Sequence, residues 1–171
     1  MRTEVYWIKG PWPGRLAIAP RPRGGDWLKD EVRAWRDTGL DVVVSFLTPD
    51  EMTELDLDQE EKWCHQYGIE FHSFPIPDRG VPGSREAVIN LIRSLEQALA
   101  AGKSVAVHCR QGIGRSGMIV AALLISAGEE PETVWEHIHR ARRRPVPDTD
   151  EQRDWVQTFG IGLVDAMRRG G

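Results

Sequence analysis

The chain has 171 residues, enough for one well-cored domain and too few for two ordinary ones, so a single domain over residues 1–171 is expected. Hydrophobic residues make up 40% and charged residues 28%, with 17 Gly and 11 Pro spread along the chain, which excludes a low-complexity array. Lys+Arg 22 against Asp+Glu 26 leaves a formal charge of -4, so no bulk positive field draws in nucleic acid or anionic lipid, and any anion must be captured locally. No apolar run reaches the ~18 residues of a membrane span, and Met1 to Lys9 lacks a signal-peptide pattern. A cytoplasmic, monomeric protein with no membrane or nucleic-acid partner is expected, its two cysteines, Cys64 and Cys109, reduced.

In chain order, Glu4 to Ile8 and Leu16 to Ala19 read as two short strands around the turn Gly10-Pro-Trp-Pro-Gly14. Gly24-Gly25-Asp26 offers a helix start, and Trp27, Leu28, Val32 and Trp35 recur at helical spacing until Gly39. Asp41 to Leu47 is a β-branched run of the kind found in a sheet covered on both faces. A helix is expected near Asp56 to Tyr67, then a strand from Ile69 to Ile76 that enters the loop Pro75-Ile-Pro-Asp-Arg-Gly-Val-Pro82. Ser84 caps a long helix to Ala101 with Val88, Leu91, Ile92, Leu95 and Leu99 on one stripe. Ser104 to Val107 is a buried strand, Met118 to Ile125 is apolar on every face, and two further helices cover about Pro131 to Arg143 and Asp150 to Arg168. Strands alternating with helices predict an α/β fold with a central, mostly parallel sheet flanked by helices. In such folds ligands bind beyond the carboxyl ends of the strands.

Cys109 stands at such an end. Five residues separate it from Arg115, two of them glycine, which lets successive N–H groups turn inward as a nest for an anion. The helix that starts near Arg115 adds the positive end of its dipole. Both effects favour a thiolate, whose pKa in such surroundings falls from ~8.5 into the range of roughly 3.5 to 7.5. Arg115 offers a planar fork that matches two phosphate oxygens. Asp78, 31 positions upstream on a Pro-framed loop, is a plausible proton donor to a departing oxygen, and the intervening helix makes a parallel crossover that brings both loops to one sheet edge. Ser116 can donate a hydrogen bond to the leaving thiolate. No metal or other cofactor is required.

The run His108-Cys109-x5-Arg115-Ser116 resembles the signature of the cysteine-dependent protein tyrosine phosphatases, and the chain from Arg15 to about Phe159 resembles their small dual-specificity branch. The resemblance takes in Val42 to Leu47 with Glu51 or Glu54 soon after, Pro75-Ile-Pro-Asp78, the loop itself, and Arg144-Pro-x-x-x-Thr149-x-x-Gln152. It implies a phosphotyrosine-directed, and also phosphoserine- or phosphothreonine-directed, phosphomonoesterase that acts on phosphorylated proteins or peptides through a phosphocysteine. It further implies that the amides of Arg110, Gln111, Gly112, Ile113, Gly114 and Arg115 hold the phosphate, that His108 buttresses the loop, and that Gln152 orders the hydrolytic water or the rim. Lipid phosphatases of the superfamily carry lysines in the loop, where this chain has Arg110, Gln111 and Ile113; RNA 5'-phosphatase relatives commonly lack the acid. A sulfurtransferase or arsenate reductase loop leaves Asp78 unexplained, and a silent phosphopeptide-binding module usually lacks the cysteine, arginine or acid.

Other residues have plainer readings. Cys64 packs on an amphipathic helix, with a redox partnership to Cys109 as the alternative. Thr149-x-x-Gln152 is also a capping box for the last helix. Arg140, Arg142, Arg143 and Arg144 complement a helix end or face an acidic substrate, the first being preferred. Asp50 to Glu61 reads as a solvated acidic face, and Trp12 is the one tryptophan suspected of touching substrate. His65, His72, His137 and His139 form no metal-ligand grouping.

Overall fold

The computed structural model describes residues 4–147 and 149–170, with side chains through Leu163. Five strands form one sheet: β1 (Tyr6–Ile8), β2 (Leu16–Ile18), β3 (Val42–Ser45), β4 (Glu70–Ser73) and β5 (Val105–His108), in the order β1-β2-β5-β3-β4. Only the β1–β2 pair is antiparallel; β2–β5, β5–β3 and β3–β4 are parallel, as the α/β reading expects. The connecting helices are α1 (Leu28–Thr38), α2 (Pro49–Glu54), α3 (Glu60–Gln66), α4 (Arg85–Ala100), α5 (Gly114–Ser126), α6 (Val134–Arg142) and α7 (Asp150–Gly170).

Alternation along each strand sorts the side chains between two cores. Leu16, Ile18, Val42, Val44, Val105, Val107 and Cys109 face α4 to α7, whereas Ala17, Val43 and Ala106 face α1 and α3, with Trp35 and Cys64. The stripe expected on α4 is the buried one, and the Ser84 hydroxyl accepts the Ala87 N–H at 3.1 Å to start it. Every residue of α5 from Gly114 to Ile125 is buried, so this helix runs through the centre of the first core. Each Leu or Ile interred there contributes roughly 1.5–3 kcal/mol by leaving water.

Two expectations need correction. The helix expected near Asp56 to Tyr67 is the shorter α3, and a separate helix precedes it: Pro49 at the first position of α2 and the Thr48 cap start that one, and Asp56, at φ +57, turns the chain before α3. The acidic stretch Asp50 to Glu61 is also not a uniformly solvated face, because Glu51 and Glu60 are buried. The helix start offered by Gly24-Gly25-Asp26 falls at Gly24, the cap residue of a single turn of 3-10 helix over Gly25–Trp27 that leads into α1. Among the described residues no helix is long and apolar enough to cross a membrane.

Candidate active site

β5 lies between two parallel neighbours, and its end is pinned: the Phe46 N–H donates to His108 O at 3.0 Å and the Ala19 N–H to Val107 O at 2.9 Å. Cys109 follows directly, 3% exposed, at the carboxyl edge of the sheet. The chain then folds back so that the Gly112 N–H donates to Cys109 Sγ at 3.3 Å. Gly112 has φ +71, and a Cβ there would stand 3.3 Å from Ile18 and 3.4 Å from Ala19 O, so the turn calls for glycine on two counts. Ile113 occupies the cap position of α5 without a side-chain cap, leaving the helix's leading amides and dipole directed at the loop.

Arg115 opens α5 and is 2% exposed. Its guanidinium donates to Glu51 Oε1 at 2.6 Å and Oε2 at 2.9 Å, to Ile76 O at 2.9 Å and to Asp78 Oδ1 at 3.3 Å. Glu51 is set by local sequence. Thr48-Pro-Asp-Glu51 is a capping box, in which the Thr48 hydroxyl accepts the Glu51 N–H at 3.3 Å and Glu51 Oε1 accepts the Thr48 N–H at 3.1 Å. Burial pushes the Glu51 carboxyl up, but the hydrogen bonds from Arg115 and the Thr48 N–H, with the charge of Arg115, outweigh it and hold the pKa at about 2. Desolvation acts to lower the pKa of Arg115; Glu51, Cys109 and Asp78 outweigh it and raise it, so the cation is secure.

The residues singled out in the sequence fall as follows. Cys109, Arg115 and Asp78 converge on one sheet edge, with Asp78 at 54% side-chain exposure. Ser116 is fully buried, and its Oγ has no hydrogen-bond partner among the described residues. The Arg110 side chain turns outward to Glu54 at 3.0 Å, which raises its pKa and lowers that of Glu54. Gln152 closes the capping box with Thr149 and donates from Nε2 to Gly80 O at 3.0 Å, tying α7 to the loop of Asp78. Trp12 lies against Gly10 and packs, half-buried, on the core. Cys64 is fully buried on the opposite face of the sheet from Cys109, and burial, reinforced by Glu60 and Glu61, pushes its thiol well up. That removes the thiolate a redox partnership needs. Among the described residues no His/Cys/Asp/Glu group could hold a metal ion.

Two contributors went unassigned in the sequence. Arg142, read there as a helix-end cation, is buried and donates from Nε to Gly112 O at 2.9 Å and from Nη2 to Gln111 O at 2.8 Å, with Tyr6 stacked 4.2 Å away. The signal was present in the register of α6, where Val134, Ile138 and Arg142 share one buried stripe. The other is Glu60, whose Oε2 lies 2.6 Å from His108 Nε2.

A family model described as the DSP-PTPase phosphatase of polymorphic toxin systems matches residues 18–129. The chain belongs to this dual-specificity and tyrosine phosphatase family. It is 25% identical over 134 residues to cyclin-dependent kinase inhibitor 3 of Sus scrofa, covering 77% of this chain and 63% of the relative. It is 32% identical over 97 residues to protein tyrosine phosphatase domain-containing protein 1 of Mus musculus, covering 52% of this chain and 13% of the relative. The chain thus spans less than two thirds of the curated relatives' length. Among solved structures, Tk-PTP in its active form superposes with a TM-score of 0.75 at 27% identity, covering 94% of this chain and 98% of that one. A kinase-associated phosphatase, solved with serine in place of its catalytic-site cysteine, reaches a TM-score of 0.86 at 19% identity, with 96% and 97% covered, and speaks for the shared phosphatase fold alone.

Proposed function

We propose that the protein is a phosphomonoesterase that removes phosphate from phosphotyrosine, and from phosphoserine or phosphothreonine, in proteins through a phosphocysteine on Cys109. The observation that carries this is the junction of Gly112 N–H, Cys109 Sγ and the buried Arg115 within one loop at the end of a central strand. The amides of Arg110 to Arg115 receive the phosphoryl oxygens, and Arg115 neutralises the charge that gathers on them in the transition state. Cys109 Sγ attacks phosphorus while Asp78 delivers its proton to the departing alkoxide or phenoxide. Water then attacks the phosphocysteine, giving its proton to Asp78 and releasing phosphate and the thiolate, with Ser116 donating a hydrogen bond to the sulfur.

Asp78 is well placed for exchange. Among the described residues its one hydrogen bond is the 3.3 Å contact from Arg115, the longest that guanidinium makes to a carboxylate, so an incoming phosphate displaces Asp78 toward the leaving group. Both cysteines are free thiols, which supports action in a reducing compartment, the cytoplasm. Phosphate release from an aryl phosphate and from a panel of phosphopeptides tests the reading. Wild type should turn over without added metal, Cys109→Ser should not, and activity that survives this substitution contradicts it.

A further inference from the structure

Opposite the nucleophile's core, the fold buries a second ionisable pair that the reaction above does not use. Glu60 and His108 are both 0% exposed, with Oε2 and Nε2 2.6 Å apart and 48 residues between them in sequence. Alternation along β5 sends His108 to the face that carries Ala106, away from Cys109, and there the Trp35 ring lies 5.8 Å from the imidazole. Glu60 and Cys64, four apart on α3, share the buried side of that helix. Among the described residues no Lys or Arg pairs with Glu60, and neither Glu60 Oε1 nor His108 Nδ1 has a hydrogen-bond partner. An apolar side chain would occupy this place at less cost than a half-satisfied carboxyl, so packing alone gives no reason for a glutamate.

We propose that Glu60 is a positioning residue for the nucleophile, acting through His108. A carboxylate at 2.6 Å can only accept, so the hydrogen resides on His108 Nε2 and the ring is locked in one plane and one tautomer. The strand below is already fixed by the Phe46 N–H on His108 O, so ring rotation is the remaining freedom at the root of the loop. A ring so held braces the backbone of His108, and with it the root of the amide nest that favours sulfur as thiolate. On this side of the sheet α3 brings Glu60 and Cys64 to its buried side, with Glu61 near enough to act on the Cys64 thiol, and α1 sets the Trp35 ring against His108; Cys109 and Arg115 belong to the opposite face. The inference rests on Cys109 being the nucleophile.

The test compares wild type, Glu60→Gln and Glu60→Asp by the pH dependence of Cys109 alkylation with iodoacetate, located by mass spectrometry, and by steady-state kinetics on an aryl phosphate. Glu60→Gln should move the alkylation midpoint up by roughly one pH unit, and kcat should fall about tenfold with KM held within about twofold. Glu60→Asp should recover part of both. A folded Glu60→Gln whose alkylation curve superimposes on wild type overturns the proposal, including when kcat drops, because loss of packing alone would do that. Nitrogen-15 chemical shifts of His108 in wild type give an answer that needs no variant: hydrogen on Nε2 is expected, and a bare Nε2 overturns the proposal. Wild-type protein inert toward every phosphate ester contradicts the phosphatase reading instead, while the alkylation curves and the His108 shifts still decide the part played by Glu60.

Discussion

The loop of Cys109 and the loop of Asp78 meet at one guanidinium, yet they are held in opposite ways. The loop of Cys109 is buried and tied from several sides: Cys109 and Arg115 are 3% and 2% exposed, and Arg142 fastens the carbonyls of Gln111 and Gly112. The loop of Asp78 lies at the surface, with Asp78 at 54% exposure, and its ties run through backbone groups of its neighbours, Ile76 O to Arg115 and Gly80 O to Gln152. A mould for a tetrahedral anion gains from fixed geometry, since preorganised donors need not rearrange as charge develops. A proton donor that serves leaving groups of different reach gains from solvent exposure and a weak resting contact.

Substitutions can break this contrast at either loop. Arg115→Lys should hit hardest, lowering kcat/KM by roughly 10^3-fold, because an ammonium keeps the charge but loses the fork shared by Glu51 and the phosphate; steady-state kinetics checks it. Asp78→Ala should cost about 10^2-fold on an unactivated phenyl phosphate and far less on an ester whose leaving group departs without a proton. Equal losses on both esters would remove Asp78 from the acid role.

The third prediction concerns pH and Glu51, whose side chain is 10% exposed. Its folded pKa of about 2 lies below the ordinary 4.5, so its contribution to stability is fully present above pH 4.5 and is lost as pH falls toward 2. The contribution is on the order of 3 kcal/mol. Melting curves of wild type and Glu51→Gln should therefore differ most near neutral pH and converge as the acid limit is approached. Smallest of all, Gln152→Ala removes a cap and the tie to Gly80, at a cost of about 1 kcal/mol in stability and a severalfold drop in kcat with the unactivated ester, read by chemical denaturation and kinetics.

Much of the architecture could be read from pattern because pattern causes it. The all-apolar α5 had to be central, and the β-branched run at Val42 to Val44 had to be covered on both faces. The signature loop was equally plain, since glycine spacing and a cysteine at a strand end are local facts. Hidden from view were partners brought together by the fold. Glu51 enters the sequence reading only as an alternative to Glu54, though its capping box with Thr48 singles it out, and Arg142 reads there as a helix-end cation, though its helical register marks it as buried. Glu60 carries no local sign. Its partner lies 48 residues away, and only the packing of α3 against β5 shows why an acidic residue is buried there.

The most direct measurement is rapid acid quenching of wild type and Asp78→Ala during turnover of an aryl phosphate, followed by mass spectrometry of the peptide that carries Cys109. Phosphate bound to Cys109 Sγ at the level of a kinetic burst, and more of it in the variant whose hydrolysis step is slowed, is the expected result. Steady release of phosphate with Cys109 unmodified at every quench time in both proteins, or phosphate found on another side chain, would contradict the account.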